Sequence, residues 1–265
     1  MLITQQKDKL EYLTAPGIAA PHCFTTRLGG VSQGYLDSLN IGIHRGDRAE
    51  NVEKNYEILA AALGFDPGKL ILTRQTHSSI VRAVTEKDTG SIFREDIEQC
   101  DALITNTPGL ALVVFTADCT PILFYDPVTG AVGAAHAGWR GTAADIAGKT
   151  VAAMVEAFGC KAENIRCAIG PNIGPCCFET DAEVPQAMVD ALGDEARAHI
   201  RQAGQKYYVN LKEINALFLR RAGVCQIDIS GDCTRCDSRR FWSHRLTGSL
   251  RGSQGGIIVC PEVAK

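Results

Sequence analysis

Three residues of the chain are of the types that hold a catalytic metal: His77 in Gln75-Thr76-His77-Ser78-Ser79, Cys119 in Ala117-Asp118-Cys119-Thr120-Pro121, and His136 in Ala135-His136-Ala137-Gly138-Trp139-Arg140-Gly141. Two imidazoles and one thiolate leave the fourth tetrahedral position of a zinc ion for water or substrate, whereas structural zinc sites fill all four with protein. Two of the three are linked by the elements between them. Pro121 to Tyr125 and Ala131 to Ala135 read as strands joined by Asp126-Pro127-Val128-Thr129-Gly130, a segment with the Asp, Pro and Gly of a tight turn. In such a hairpin a turn centred near Val128 sets Cys119 opposite His136, or one position from it. Cross-strand neighbours share a face with Cβ atoms about 5 Å apart, which suits two ligands of one ion. His77, at a strand exit, is the best-placed third ligand. Spacing leaves two other readings open: core-filling side chains, and a metal-free nucleophile and base as in cysteine hydrolases.

The elements that must position these residues read as a mixture. Asn51 to Leu63 has helical periodicity, with Val52, Ile58, Leu59 and Leu63 apolar and a stop at Gly64. Leu70 to Leu72, Ile80 to Val84, Ala102 to Ile104 and Leu110 to Phe115 are apolar runs of strand length. From Thr142 to Phe158 the pattern is helical, opening on Thr142 and Asp145 as a capping-box-like pair and closing at Gly159. Strands at Ile165 to Ile169, Cys225 to Ile229 and Gly256 to Cys260 alternate with helices near Asp181 to Leu192 and Leu211 to Ala222. This order predicts an α/β (α+β) fold with mixed sheets flanked by helices, in one domain over residues 1–265 without repeat or linker.

Bulk properties narrow the function. With 45% hydrophobic and 22% charged residues the chain can bury a sizeable core. A net charge of -3 with dispersed basic residues predicts no nucleic-acid surface. No apolar run of about 18 residues and no basic-then-apolar N-terminus is present, so neither a membrane span nor a secretory signal is expected and the predicted location is cytoplasmic. Eleven scattered cysteines, an odd count, argue against a disulfide framework there.

Seven segments occur together in order: Thr25-Thr26-Arg27-Leu28-Gly29-Gly30-Val31-Ser32, Ser38-Leu39-Asn40-Ile41-Gly42, Gln75-Thr76-His77, Ala117-Asp118-Cys119, His136-Ala137-Gly138-Trp139-Arg140-Gly141, Ile169-Gly170-Pro171 and Phe241-Trp242-Ser243-His244-Arg245. From about Phe24 to Val259 the chain resembles the laccase-domain purine nucleoside phosphorylase family, earlier labelled polyphenol oxidase. The resemblance implies a zinc enzyme that phosphorolyses adenosine, inosine and S-methyl-5′-thioadenosine and deaminates adenosine, so its partners would be purine nucleosides and phosphate. It puts the metal ligands on His77, Cys119 and His136, and it implies layered mixed sheets like those of the cytotoxic-necrotizing-factor-like cysteine hydrolases. The older label fails a count: a multicopper centre needs many histidines, largely in His-X-His pairs, and this chain has six histidines and no such pair. A single copper on the same trio is the remaining oxidoreductase reading, since two His and one Cys also suit that ion.

Other residues carry weaker expectations. Gly138 to Thr142 leads into a helix whose first N–H groups would suit phosphate, with Arg140 pairing to it or to a structural carboxylate. Arg27 and Asn40, in Gly-rich loops, have the donors and acceptors for ribose or a purine edge. Asp118 is suited to orient a metal ligand, act as base, or hold a strand start. Cys233-Thr234-Arg235-Cys236 is a lone Cys-X-X-Cys for which Cys176, Cys177 and His244 are partners only by coincidence of folding, so buried thiols are expected. His244 is expected to be structural.

Overall fold

The computed structural model describes residues 1–262, as four layers in which two six-stranded sheets pack face to face between helices. In spatial order the first sheet runs Ile3–Lys7, Leu10–Thr14, His22–Thr25, Gln254–Val259, Ala111–Thr116 and Leu70–Leu72. The second runs Gln226–Ile229, Arg166–Ile169, Thr120–Tyr125, Val132–Ala137, Ala102–Thr105 and Val81–Ala83. Both mix parallel and antiparallel pairs, as a hairpin set among crossover connections requires. A small antiparallel sheet of Glu179–Thr180, Lys206–Val209 and Ile200–Ala203 stands apart.

Period-two alternation explains why these strands read as unbroken apolar runs. Leu112 and Val114 point into the interface between sheets, with Phe24, Ile258, Leu103 and Leu123, while Ala111 and Val113 point outward under the helix Ala49–Leu63. Ile122 and Phe124 likewise face the helices Ile146–Phe158, Glu183–Leu192 and Leu211–Arg221 on the far side of the second sheet. Burial on both faces removes the polar alternation that marks a half-exposed strand. No helix among the described residues is long and apolar enough to cross a membrane.

Three sequence expectations need correcting. The hairpin register pairs Pro121 with His136 and Thr120 with Ala137, so Cys119 lies just outside the strand and two positions short of facing His136. The helix expected from Thr142 to Phe158 is two: a five-residue turn, Trp139–Ala143, then Ile146–Phe158. Asp145 sits between them at φ 55° and caps the second through Gly148 N–H, while Thr142, buried, accepts from Asn215 Nδ2 at 3.0 Å. The expected capping pair does not form, and the short first helix offers little dipole to an anion. The Cys-X-X-Cys thiols are not simply buried: Cys236 is exposed and Cys233 half-buried, and both lie beside Cys176 and Cys177.

Candidate metal centre

The site forms where the chain crosses twice from one sheet to the other. The first crossing leaves Leu70–Leu72 and enters Val81–Ala83, carrying His77 midway; the second leaves Ala111–Thr116 and enters Thr120–Tyr125, carrying Cys119. Each crossing turns on a non-glycine residue in left-handed conformation, His77 at φ 59° and Asp118 at φ 85°. Such backbone is held only where its surroundings over-determine it, and it clusters at functional sites. Asp118 is fixed by Thr234 Oγ1 at 2.6 Å, Ser243 Oγ at 3.1 Å and Arg245 N at 2.6 Å, all donating to its carboxylate. That anchoring turns Cys119 toward the face on which His136 emerges.

The ligand atoms of His77, Cys119 and His136 all lie within 4.8 Å of one another. Cys119 Sγ is 3.9 Å from His77 Nε2, and the two imidazole rings meet edge to face with centroids 5.0 Å apart. A tetrahedral zinc ion with Zn–S about 2.3 Å and Zn–N about 2.0–2.1 Å would set that S···N separation at about 3.6 Å, so the residues fit the ion with only slight closure. His136 is buried, Cys119 half-buried and His77 exposed, so the group opens on the His77 side. Gly138 makes the close approach possible: a Cβ there would sit 2.6 Å from His77 Cδ2 and 3.5 Å from Cys119 Sγ.

Sequence reasoning missed Asp101, which organises the group from beneath. Its fully buried carboxylate accepts from Thr76 N at 3.0 Å, His77 N at 3.1 Å, Ser78 N at 2.8 Å and Ser78 Oγ at 2.7 Å. Asp101 Oδ1 also lies 2.8 Å from His136 Nδ1, and since a carboxylate only accepts, that nitrogen carries a proton and Nε2 is left to face Cys119. Burial alone would neutralise Asp101, but these donors prevail and hold its carboxyl far below the usual range. Nothing in the sequence marks it except an acidic residue against an apolar run.

Electrostatics couple the thiol and the buried imidazole. Burial opposes charge on both, yet their mutual attraction and hydrogen bonding win, lowering Cys119 to about 6 and raising His136 to about 9. Without metal the pair is therefore thiolate and imidazolium.

A cavity of about 580 Å³ adjoins the group, with His77 in its wall beside His44, Arg45, Arg74, Arg94, Glu95 and Phe115. Arg251, buried nearby, is brought down to about 10 by burial and by Arg45, against the pull of Asp118 and Cys119. The pocket thus combines cationic donors with an aromatic face, and its arginines were not singled out in the sequence. The residues singled out for substrate lie elsewhere. Asn40 is fully buried, with Oδ1 accepting from Gly42 N and Ser253 N, two residues of the cavity wall, and Nδ2 donating to Gly42 O and Asp47 Oδ2. Arg27 stacks 3.7 Å over Trp242 and donates to the carbonyls of Asp37 and Ser238. Arg140 is exposed over Trp139 with no ion pair among the described residues, outside the cavity lining. His244 bonds Gly248 O at 2.9 Å within its own turn.

Residues 21–261 match the family described as multi-copper polyphenol oxidoreductase laccase. The chain is 39% identical over 245 residues to the purine nucleoside phosphorylase YlmD of Bacillus subtilis, covering 90% of this chain and 88% of that one. It is also 39% identical over 229 residues to the purine nucleoside phosphorylase YfiH of Escherichia coli, covering 86% and 88% respectively. The crystal structure of YlmD from Geobacillus stearothermophilus superposes with a TM-score of 0.92 at 36% identity, covering 99% of this chain and all of that one.

Proposed function

The chain belongs to the multi-copper polyphenol oxidoreductase laccase family, and from that premise we propose that it is a zinc-dependent purine nucleoside phosphorylase, a single cytoplasmic domain over residues 1–265. Its reactions on this reading are phosphorolysis of adenosine, inosine and S-methyl-5′-thioadenosine, together with deamination of adenosine. The observation that carries the reading is the His77, Cys119 and His136 group beside a cavity that is cationic and aromatic at once. The names of the relatives, both purine nucleoside phosphorylases, suggest the substrate class. Among the described residues one candidate group combines His and Cys, and the six histidines of the chain include no His-X-His pair, which supports a single ion over a multicopper cluster.

In phosphorolysis a phosphate oxygen bonds to the anomeric carbon of ribose as the bond to the purine nitrogen breaks, and the departing base takes up a proton. Arg45 and Arg74 offer guanidinium forks suited to phosphate, while Phe115 offers a face for the base. Asp101 accepts from His136 Nδ1 and so leaves Nε2 as the nitrogen that would take the metal, and Asn40 holds the Gly42 and Ser253 wall in place. Asp118 shapes the turn that presents Cys119, and Arg27 braces the neighbouring loop on Trp242. When bound, zinc supplies a Lewis acid at the one position the three side chains leave open. Arg140, exposed and with no ion pair among the described residues, is the further cation assigned to phosphate.

The test is metal analysis of the purified protein followed by incubation with adenosine, with and without phosphate, while adenine, inosine, hypoxanthine and ribose 1-phosphate are measured. Phosphate-dependent adenine and ribose 1-phosphate, lost in Cys119→Ala together with the zinc equivalent of this centre, is the expected result. The thiolate–imidazolium pair favours a second reading, a cysteine hydrolase with Cys119 as nucleophile and His136 as base. Phosphate-independent hydrolysis by metal-free protein, blocked by a thiol reagent, would establish that reading and overturn the first. Stoichiometric copper in the purified protein, with oxidase activity, would favour the single-copper alternative.

A further inference from the structure

We propose that Cys176, Cys177, Cys233 and Cys236 form a second, structural metal site, a closed tetrathiolate that takes zinc. Their four Sγ atoms lie within 4.8 Å of one another, with Cys236 Sγ 3.5 Å from Cys176 Sγ and 3.4 Å from Cys177 Sγ. Zinc–sulfur bonds of about 2.3 Å in a tetrahedron put the sulfurs about 3.8 Å apart, which lies within the spread observed. A disulfide requires about 2.05 Å and joins only two of them. Cys233 and Cys236 have the Cys-X₂-Cys spacing of zinc-binding turns, and the second pair arrives from a segment 56 residues earlier at its nearest, Cys177 to Cys233.

The surroundings suit the double negative charge of four thiolates on a divalent ion. Gly174 N donates to Cys233 Sγ at 3.2 Å, and the backbone amides of Arg235 and Cys236 are directed at the same sulfur. Arg235 Nη1 is 3.5 Å from Cys177 Sγ, and buried Lys212, whose Nζ donates to Asp232 O at 2.7 Å next to Cys233 in the chain, adds a second cation to the neighbourhood. Gly174 lets the segments meet, since a Cβ there would sit 3.1 Å from Cys233 Cβ and 3.3 Å from Cys176 Sγ. All four positions being filled by protein, the ion would have no place for substrate. Binding needs no redox partner: each thiol that ligates releases its proton to solvent.

The consequence reaches the first metal centre. Thr234, inside the Cys-X-X-Cys turn, donates to Asp118, Ile173 N donates to Asp118 O at 2.9 Å, and Arg245 bridges Cys177 O to the Asp118 carboxylate. The tetrathiolate therefore clamps the two segments that hold the turn presenting Cys119.

The experiment counts metal in the full-length protein loaded with zinc, then with cobalt as a spectroscopic probe, in wild type, Cys119→Ala and Cys233→Ser with Cys236→Ser. Two equivalents in wild type, falling to one in Cys119→Ala with strong sulfur-to-cobalt charge transfer, is the expected result. The cysteine double variant should keep only the weaker band of the single Cys119 thiolate. Should it fail to fold, the equivalent retained by Cys119→Ala and the metal-dependent protection of these four cysteines from alkylation still decide the matter. Folded Cys119→Ala without metal, alkylation at equal rates with and without zinc, or disulfides among the four would each overturn the proposal. Failure of the nucleoside reading is seen separately, because no activity is measured here.

Discussion

Asp101→Asn is the sharpest probe of the metal centre, because the substitution keeps shape and removes only the charge and one acceptor. Asp101 Oδ2 receives three donors and Oδ1 receives two, His77 N and His136 Nδ1. The amide oxygen of Asn will keep the Oδ2 position, where most donors converge, and its NH₂ will take the Oδ1 position. The hydrogen bond from His77 N to a charged acceptor is then lost, so destabilisation of about 1.5–3 kcal/mol is expected. At about 2–4 °C per kcal/mol, Tm falls by about 3–12 °C. The chemical effect is more specific. An amide N–H facing His136 Nδ1 forces that nitrogen to accept, which moves the ring proton to Nε2, the atom that faces Cys119. Zinc affinity, measured by competition with a chromophoric chelator on protein shown to be folded by circular dichroism, should weaken by about 10–100-fold. Unchanged affinity with unchanged Tm would refute the role given to Asp101.

The remaining predictions follow the same geometry. Gly138→Ala drives a methyl against His77, whose exposed ring can swing away at small cost in stability, so zinc affinity should drop about tenfold or more while Tm stays near wild type. Unchanged affinity would mean that His77 is not held there. In the metal-free protein Cys119 is lowered to about 6 and His136 raised to about 9, so between those values zinc displaces the His136 proton. Apparent affinity should rise about tenfold per pH unit across that window and more steeply below it, where Cys119 also binds a proton. A calorimetric series flat in pH would contradict the assignment. Arg45→Ala should raise KM for phosphate about tenfold or more, the loss of one charge-assisted contact, with a smaller change in KM for nucleoside. Equal effects on both would place phosphate elsewhere.

The apolar runs were legible because burial on both faces leaves few alternatives, and Leu70–Leu72 was placed to the residue. The strands Ile3–Lys7 and Leu10–Thr14 were not anticipated: the first, ITQQK, is mostly exposed and has no hydrophobic signal to read. Cys119 and His136 were rightly expected close together, but by a register that the hairpin does not have. Their proximity comes from the left-handed turn at Asp118, held by residues more than a hundred positions away, and such long-range anchoring leaves no local trace. The same holds for the Cys176 to Cys236 cluster, where two unremarkable pairs are brought together by long-range contacts such as the pairing of Asn172 with Cys233. Asn40 shows what a polar residue in a Gly-rich loop cannot reveal locally: its amide bonds protein on both sides and so acts on the cavity wall through Gly42 and Ser253.

The two sheet-to-sheet crossings have a consequence for how the protein matures. His77 and Cys119 each sit on a segment whose one end belongs to the first sheet and whose other end belongs to the second. A chain with only one sheet assembled has both loops untethered at one end, and their ligand atoms have no reason to converge. Metal capture at this centre thus waits for docking of the sheets, a long-range step that comes late and slowly in β-rich folding. Once acquired, the ion would act as a rivet across the interface, so that sliding of one sheet over the other must eject it.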